Sequence, residues 1–141
     1  MPHHDSKLVF IVDDDASVAL ALARLLRVEG FITRAFSSAR EFLANHDASV
    51  PGCLIADLSM VDMDGLELQH ALLARGCRRP ILFMTAWDDV HMRHQAMRAG
   101  AIGVLRKPAN RSALLASVRE ALERDDATRP KQRRPLAPDF S

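Results

Sequence analysis

The feature that most constrains the fold of this 141-residue chain is a regular alternation of short apolar runs with stretches of helical periodicity. Each run has the length of a buried strand, and each is followed by apolar residues spaced three or four apart, as on one face of an amphipathic helix. Strands that alternate with helices predict a parallel sheet with right-handed crossovers and helices on both faces. The five runs are Leu8 to Val12, Ile32 to Ala35, Leu54 to Ala56, Ile81 to Met84 and Ile102 to Leu105.

Residues that commonly begin or end helices stand at the junctions between these segments. Glycines follow the first, third and fourth predicted helices, and polar residues that can act as N-caps precede several helices. The sequence therefore predicts five strand–helix units, (βα)5, in an α/β three-layer sandwich. The glycines are Gly30, Gly76 and Gly100, and the candidate caps are Asp15, Ser37 or Ser38, Asp64 and Asn110.

The composition indicates one domain with a short segment at each end. A hydrophobic content of 48% supplies enough apolar surface for one core of ordinary size. We expect residues 1–6 to form an N-terminal extension and residues 7–124 to form the domain. Residues 125–141 are expected to form a basic, Pro-rich tail or a truncated linker, because three prolines and four basic residues occur after position 126 without periodicity.

Several other classes of function find no support in the composition. The net charge of +1 gives no strong attraction to nucleic acid or to a membrane surface. Cys53 and Cys77 lack the spacing of a zinc or disulfide framework, so we expect two small buried residues. There is no run of 18 apolar residues and no cleavable leader, which predicts a cytoplasmic protein that does not contact a membrane.

Carboxylates follow two of the predicted strands at the point where each strand ends. Asp13 and Asp14 follow the first strand, and Asp57 ends the third. The first and third strands of a parallel sheet are often neighbours, so these acids are expected to converge on one crevice. Crowded carboxylates raise one another's pKa unless a cation neutralises them, and oxygen ligands of this kind suit Mg²⁺. The sequence therefore predicts a divalent metal site.

Two further polar groups are expected at the same edge of the sheet. The fourth strand ends in Thr85, and Lys107 follows the fifth. A lysine supplies a point charge for an anion, a threonine supplies a hydroxyl hydrogen bond, and an aspartate can act as the nucleophile that forms an aspartyl phosphate. Together with Asp57 these residues indicate phosphoryl chemistry.

This set of residues resembles the receiver domain of bacterial two-component response regulators over residues 6 to 124. The shared pattern is an acidic pair after strand one, an Asp after strand three, Thr-Ala after strand four and Lys-Pro after strand five. The stretches GFITRAFSSAREFLA and AMRAGAIGVLRKP are most similar to the nodulation and nitrogen-fixation type of regulator.

The resemblance implies a fold, a site and partners. The implied fold is flavodoxin-like, with strand order 2-1-3-4-5. Asp57 would be the phosphoacceptor, and Thr85 and Lys107 would bind the phosphoryl group. Mg²⁺ would be held by Asp13, Asp14, Asp57 and the backbone carbonyl of Ser59. A histidine kinase or phosphotransfer protein would be the donor, with homodimerisation as an option. The domain would be a signalling switch that catalyses only its own phosphorylation and dephosphorylation.

The chain departs from the family pattern at three positions. Val104 stands where the family often has an aromatic residue, Ala109 stands where a Phe usually follows Lys-Pro, and Val61 replaces the usual Pro after Met60. The residues expected to carry the phosphoryl chemistry are present. The conformational response to phosphorylation is therefore where this chain is expected to differ.

Two other functions are compatible with parts of the pattern. A haloacid dehalogenase-like phosphatase also uses an aspartate nucleophile, but it needs a second Asp two residues later, where this chain has Ser59. The alternative is that the chain is the N-terminal fragment of a DNA-binding transcriptional regulator. Contact with nucleic acid is then expected only if a DNA-binding domain is missing from this chain.

Overall fold

The computed structural model describes residues 7–87 and 89–129, and the predicted N-terminal extension at residues 1–6 lies outside them. Five strands alternate with five helices in the described part of the chain, so the predicted (βα)5 order is confirmed. The elements are β1 Leu8–Val12, α1 Ala16–Val28, β2 Ile32–Phe36, α2 Ala39–Asn45, β3 Cys53–Asp57, α3 Gly65–Ala74, β4 Ile81–Thr85, α4 Val90–Arg98, β5 Gly103–Arg106 and α5 Arg111–Thr128.

The five strands form one parallel sheet in the order β2-β1-β3-β4-β5, as the resemblance implied. Val12 of β1 pairs with Ala56 of β3, and Asp57 pairs with Met84 of β4. This register brings the carboxyl ends of β1, β3, β4 and β5 to one edge of the sheet. Residues that follow those strand ends are therefore held near one another.

The core consists of two apolar layers, one on each face of the sheet, because alternate strand residues point to opposite faces. Ile11, Ile55 and Leu82 pack with residues of α1 and α5 on one face. Phe10, Leu54 and Phe83 pack with residues of α2, α3 and α4 on the other, among them Phe42 and Leu68. The predicted three-layer sandwich is confirmed. Cys53 and Cys77 are both buried and free, as predicted.

The helix ends follow the sequence signals closely. The side chains of Asp15, Ser38, Asp64, Asp89 and Asn110 accept backbone hydrogen bonds at the N-termini of α1, α2, α3, α4 and α5, respectively. Asp64 forms a full capping box with Glu67. Gly30, Gly76 and Gly100 each follow the C-cap of a helix with positive φ, a conformation that glycine adopts at little cost.

The last helix extends beyond the boundary expected from the sequence. α5 continues to Thr128, so the predicted boundary at residue 124 falls inside the helix. Asp125 is buried, and its Oδ2 accepts hydrogen bonds from the Gly52 amide and the Arg129 guanidinium, each at 2.9 Å. The helix is thus attached to the loop before β3. Residues 130–141 of the expected tail lie outside the described residues.

A buried arginine, Arg79, also binds the loop before β3. Arg79 is 4% exposed and donates hydrogen bonds to the His46 imidazole and to the carbonyl oxygens of Asp47, Val50 and Gly52, at 2.8 to 3.1 Å. Its guanidinium also lies over the Phe10 ring, 4.7 Å from the centroid. This loop closes the edge of the sheet opposite to Asp57.

Within residues 7–87 and 89–129, no helix has both the length and the hydropathy of a membrane span.

Candidate functional site

Three carboxylates meet at the carboxyl edge of the sheet. Asp13 and Asp14 follow β1, and Asp57 is the last residue of β3. One carboxylate oxygen from each residue lies within 4.8 Å of those of the other two. Asp13 and Asp57 are buried, at 4% and 7% exposure, whereas Asp14 is exposed. The predicted convergence of these three acids, hereafter the acidic triad, is present in the structure.

Lys107 reaches the acidic triad from the end of β5. Its Nζ donates hydrogen bonds to Asp13 Oδ2 at 2.8 Å and to Asp57 Oδ2 at 3.0 Å. Burial alone would lower the pKa of Lys107, but the hydrogen bonds to both carboxylates and their negative charges outweigh burial and raise it. The raised pKa favours the charged form of the lysine at the point where the first and third strands end.

Lys107 compensates only part of the negative charge. Burial raises the pKa of Asp57 above its ordinary value, although the Ser59 amide and Lys107 oppose this shift. One ammonium shared between two buried carboxylates, with a third carboxylate beside them, leaves excess negative charge. A further cation would relieve it. The all-oxygen donor set fits Mg²⁺, which commonly takes one or two carboxylates and keeps several other oxygen ligands.

Backbone amides hold each carboxylate of the acidic triad. The Asp15 amide donates to Asp13 Oδ1 at 2.9 Å, and the Ser59 amide donates to Asp57 Oδ1 at 3.0 Å. The Val61 amide donates to Asp14 Oδ2 at 3.1 Å. These amides belong to the loops that follow β1 and β3. Ser59 thus contacts Asp57 through its N–H, while a role for its carbonyl oxygen stays a prediction.

Thr85 lies at the end of β4 and is 3% exposed. Its hydroxyl donates to the carbonyl oxygen of Trp87 at 2.9 Å and accepts from the Trp87 amide at 3.1 Å. The N-cap of α4 is Asp89, so Thr85 is free of that role. Both hydrogen bonds are local to the β4–α4 loop, and Trp87 is 72% exposed.

A match to a known protein family identifies the kind of domain that carries this site. The family described as "Response regulator receiver domain" matches residues 9–119. The chain belongs to this family. The predicted receiver domain is therefore confirmed, and it is preferred to the phosphatase alternative.

Individual relatives agree with this assignment. The transcriptional regulatory protein TdiR of Thauera aromatica is 40% identical over 118 residues, which cover 84% of this chain and 52% of TdiR. Nodulation protein W of Bradyrhizobium diazoefficiens is 38% identical over 126 residues, or 89% of this chain and 56% of that protein. The chain spans about half the length of these curated relatives.

A solved structure supports both the fold and the predicted type of regulator. The crystal structure of FixJ-N is 35% identical to this chain and superposes with a TM-score of 0.77. The similarity covers 91% of this chain and 98% of FixJ-N. Together with Nodulation protein W, this receiver confirms the predicted likeness to the nodulation and nitrogen-fixation type.

The backbone amides that hold the three carboxylates were missed by sequence reasoning, which named only the Ser59 carbonyl as a backbone contribution. Asp13, Asp14, Asp57, Lys107 and Thr85 can be found from strand ends. The contact of Val61 with Asp14 is made by a backbone amide, so no side-chain type in the sequence marks it. The sequence shows only that residue 61 is not proline and therefore has an N–H that can donate.

Proposed function

We propose that this receiver domain accepts a phosphoryl group on Asp57 and acts as a signalling switch. The observation that carries the proposal is the position of the Lys107 ammonium, which bridges Asp13 and Asp57 within the acidic triad. Positive charge beside a carboxylate nucleophile is the arrangement that phosphoryl transfer needs, because catalysis of this step consists mainly of positioning and charge stabilisation.

The contacts of the two Asp57 carboxylate oxygens prepare this residue for phosphoryl transfer. The Ser59 amide and Lys107 each contact one oxygen, which fixes the orientation of the group. In the proposed step a carboxylate oxygen of Asp57 attacks the phosphorus of a phosphohistidine, and the bond from phosphorus to the imidazole nitrogen breaks. The electron pair leaves with the imidazole. Lys107 stabilises negative charge on the transferred group, and the Thr85 hydroxyl is proposed to bind one of its oxygens.

Asp13, Asp14, Asp57 and the Ser59 carbonyl are the proposed ligands of Mg²⁺. When bound, the ion would neutralise the excess charge of the acidic triad and the charge on the phosphoryl oxygens. Support for this assignment comes from the donor set: three carboxylates lie together, two of them are buried, and among the described residues the Lys107 ammonium pairs with only those two.

The proposed partners follow from the family and its relatives. A histidine kinase or phosphotransfer protein is the proposed phosphodonor, and homodimerisation is a proposed response. TdiR is described as a transcriptional regulatory protein. By analogy, contact with DNA is proposed only through a domain beyond this chain. A cytoplasmic location stays a prediction, as does the absence of catalysis beyond the domain's own phosphorylation and dephosphorylation.

Acetyl phosphate tests phosphoacceptance without knowledge of the kinase. The protein is incubated with acetyl phosphate and Mg²⁺, and its intact mass is measured. We expect the addition of one phosphoryl group, and no addition when EDTA replaces Mg²⁺. No mass increase under either condition, in a protein that remains folded by circular dichroism, would overturn the proposed function.

Trp87 should report occupation of the site, because its backbone is bonded to the Thr85 hydroxyl. When this hydroxyl donates to a phosphoryl oxygen instead, the Trp87 carbonyl loses its donor, and we expect the loop to rearrange. We expect the Trp87 emission to change on titration with beryllofluoride in the presence of Mg²⁺. The Thr85→Ala variant, which lacks these bonds from the start, should show a much smaller response. Equal responses in both proteins would contradict the coupling.

A further inference from the structure

We infer that the backbone amide of Val61 holds Asp14 in the acidic triad, which makes Val61 a positioning residue for the proposed metal site. The inference rests on the proposed function for the role of Asp14. The contact itself, a hydrogen bond from the Val61 N–H to Asp14 Oδ2, is independent of that function.

The three carboxylates of the acidic triad are not held equally. Asp13 and Asp57 are buried, and each is bound by a backbone amide and by the Lys107 ammonium. Asp14 is exposed, and within the described residues its one hydrogen bond is the one from Val61. Repulsion from the two neighbouring carboxylates favours rotation of Asp14 towards solvent. The Val61 amide opposes that rotation.

Hydrogen bonds within the loop after β3 fix the position of the Val61 amide. Its start is bound by the Ser59 N–H on Asp57, and at its far end the Gly65 amide donates to the Leu58 carbonyl. Between these points the Met63 amide donates to the Val61 carbonyl at 2.8 Å, and Asp62 has a φ of 70°. One loop therefore contacts Asp57 through the Ser59 amide and Asp14 through the Val61 amide. It links two proposed ligands from different strands.

The contribution of Val61 lies in its N–H group. The side chain is 76% exposed, so little packing would be lost on its removal. Proline, the usual residue at this position in the family pattern, has no N–H and cannot form this contact. The departure of this chain from the family pattern at residue 61 thus adds a donor to the site. We expect the added donor to hold Asp14 in place before metal binds.

The substitutions Val61→Pro and Val61→Ala separate the amide from the side chain. Mg²⁺ affinity is measured by isothermal titration calorimetry in the absence of a phosphodonor. We expect Val61→Pro to bind Mg²⁺ about tenfold more weakly, the loss that follows removal of a partner that orients a metal ligand. Val61→Ala should stay within about twofold of wild type, as an exposed substitution that keeps the N–H. Equal affinity of wild type and a folded Val61→Pro would overturn the inference.

A second measurement does not depend on metal or on the fold of the proline variant. Amide hydrogen exchange of residue 61 is followed by NMR in EDTA for wild type and Asp14→Ala. We expect exchange about tenfold faster in Asp14→Ala, as when one hydrogen bond is lost. An unchanged rate would overturn the inference. If wild type neither binds Mg²⁺ nor accepts phosphate, the proposed function fails, while this rate still decides whether Val61 holds Asp14.

Discussion

Replacement of Asp14 by Ala is expected to abolish phosphorylation by acetyl phosphate, with a loss of rate of at least about a hundredfold. Asp14 supplies the exposed carboxylate of the acidic triad, and its removal leaves Asp13 and Asp57 with Lys107 as their only cation among the described residues. Without Asp14 the proposed Mg²⁺ site loses one of its ligands. The rate of phosphoryl incorporation is measured by intact mass at saturating acetyl phosphate.

The matched control for Asp14→Ala is Asp15→Ser. Asp15 is an acid of the same loop whose side chain caps α1, and serine keeps an oxygen that can accept the capping hydrogen bonds. We expect Asp15→Ser to be phosphorylated close to the wild-type rate, and both variants to retain the circular dichroism spectrum of the wild type. If Asp14→Ala is phosphorylated as fast as Asp15→Ser, Asp14 is not a metal ligand.

Replacement of Arg79 by Met is expected to lower the free energy of unfolding by about 3 kcal/mol. Arg79 is buried and donates to one imidazole and three carbonyl oxygens of the loop before β3. Burial, followed by the positive charge of Arg79, lowers the pKa of His46 to about 4, so the imidazole is a neutral acceptor near pH 7. Methionine keeps an apolar stem beside Phe10 but cannot donate these four hydrogen bonds. The carbonyls of Asp47 and Val50 then keep only the Val50 amide and the Arg129 guanidinium, respectively, as donors among the described residues.

The neighbouring Arg78 offers the control, because it is exposed and, like Arg79, lies in the loop between α3 and β4. Unfolding in urea gives the free energy for each variant. We expect Arg78→Met to differ from wild type by no more than about 0.5 kcal/mol. Phosphorylation of folded Arg79→Met should remain, since Asp57 lies at the opposite edge of the sheet. Equal stability of the two variants would show that the buried guanidinium does not support the fold.

The fold and most of the site could be predicted because both depend on short-range sequence signals. The central strands β1, β3 and β4 are nearly continuous apolar runs because both faces of the sheet are covered by helices there. Once a parallel sheet is assigned, the ends of its strands share one edge, and the strand order implied by the family resemblance places Asp13, Asp57 and Lys107 near one another on that edge. The predicted convergence required no knowledge of side-chain geometry.

The remaining features depend on partners that are distant in the sequence. Asp125 was expected in a polar tail, but it is buried because the Gly52 amide, 73 residues away, and Arg129 satisfy one of its carboxylate oxygens. Arg79 is likewise buried because a whole loop supplies its acceptors. A charged residue can be buried only where such partners exist, and the partners become visible only after the chain is folded.

Backbone and rotamer details could not be predicted for a different reason. The Val61 amide is present in any residue but proline, so its contact with Asp14 leaves no pattern in the sequence. The Thr85 hydroxyl was expected to face the site, yet in this structure both of its hydrogen bonds are to Trp87. A hydroxyl has several staggered positions, and local hydrogen bonds decide among them.

The most direct test of the central claim is to locate the phosphoryl group in the chain. Wild type and Asp57→Asn are incubated with acetyl phosphate and Mg²⁺ and reduced with borohydride, which converts an aspartyl phosphate to homoserine. The modified peptides are then sequenced by tandem mass spectrometry. We predict homoserine at position 57 of the wild type and at no position of Asp57→Asn. Homoserine at position 13 or 14 of the wild type, with none at position 57, would contradict the assignment of Asp57 as the phosphoacceptor.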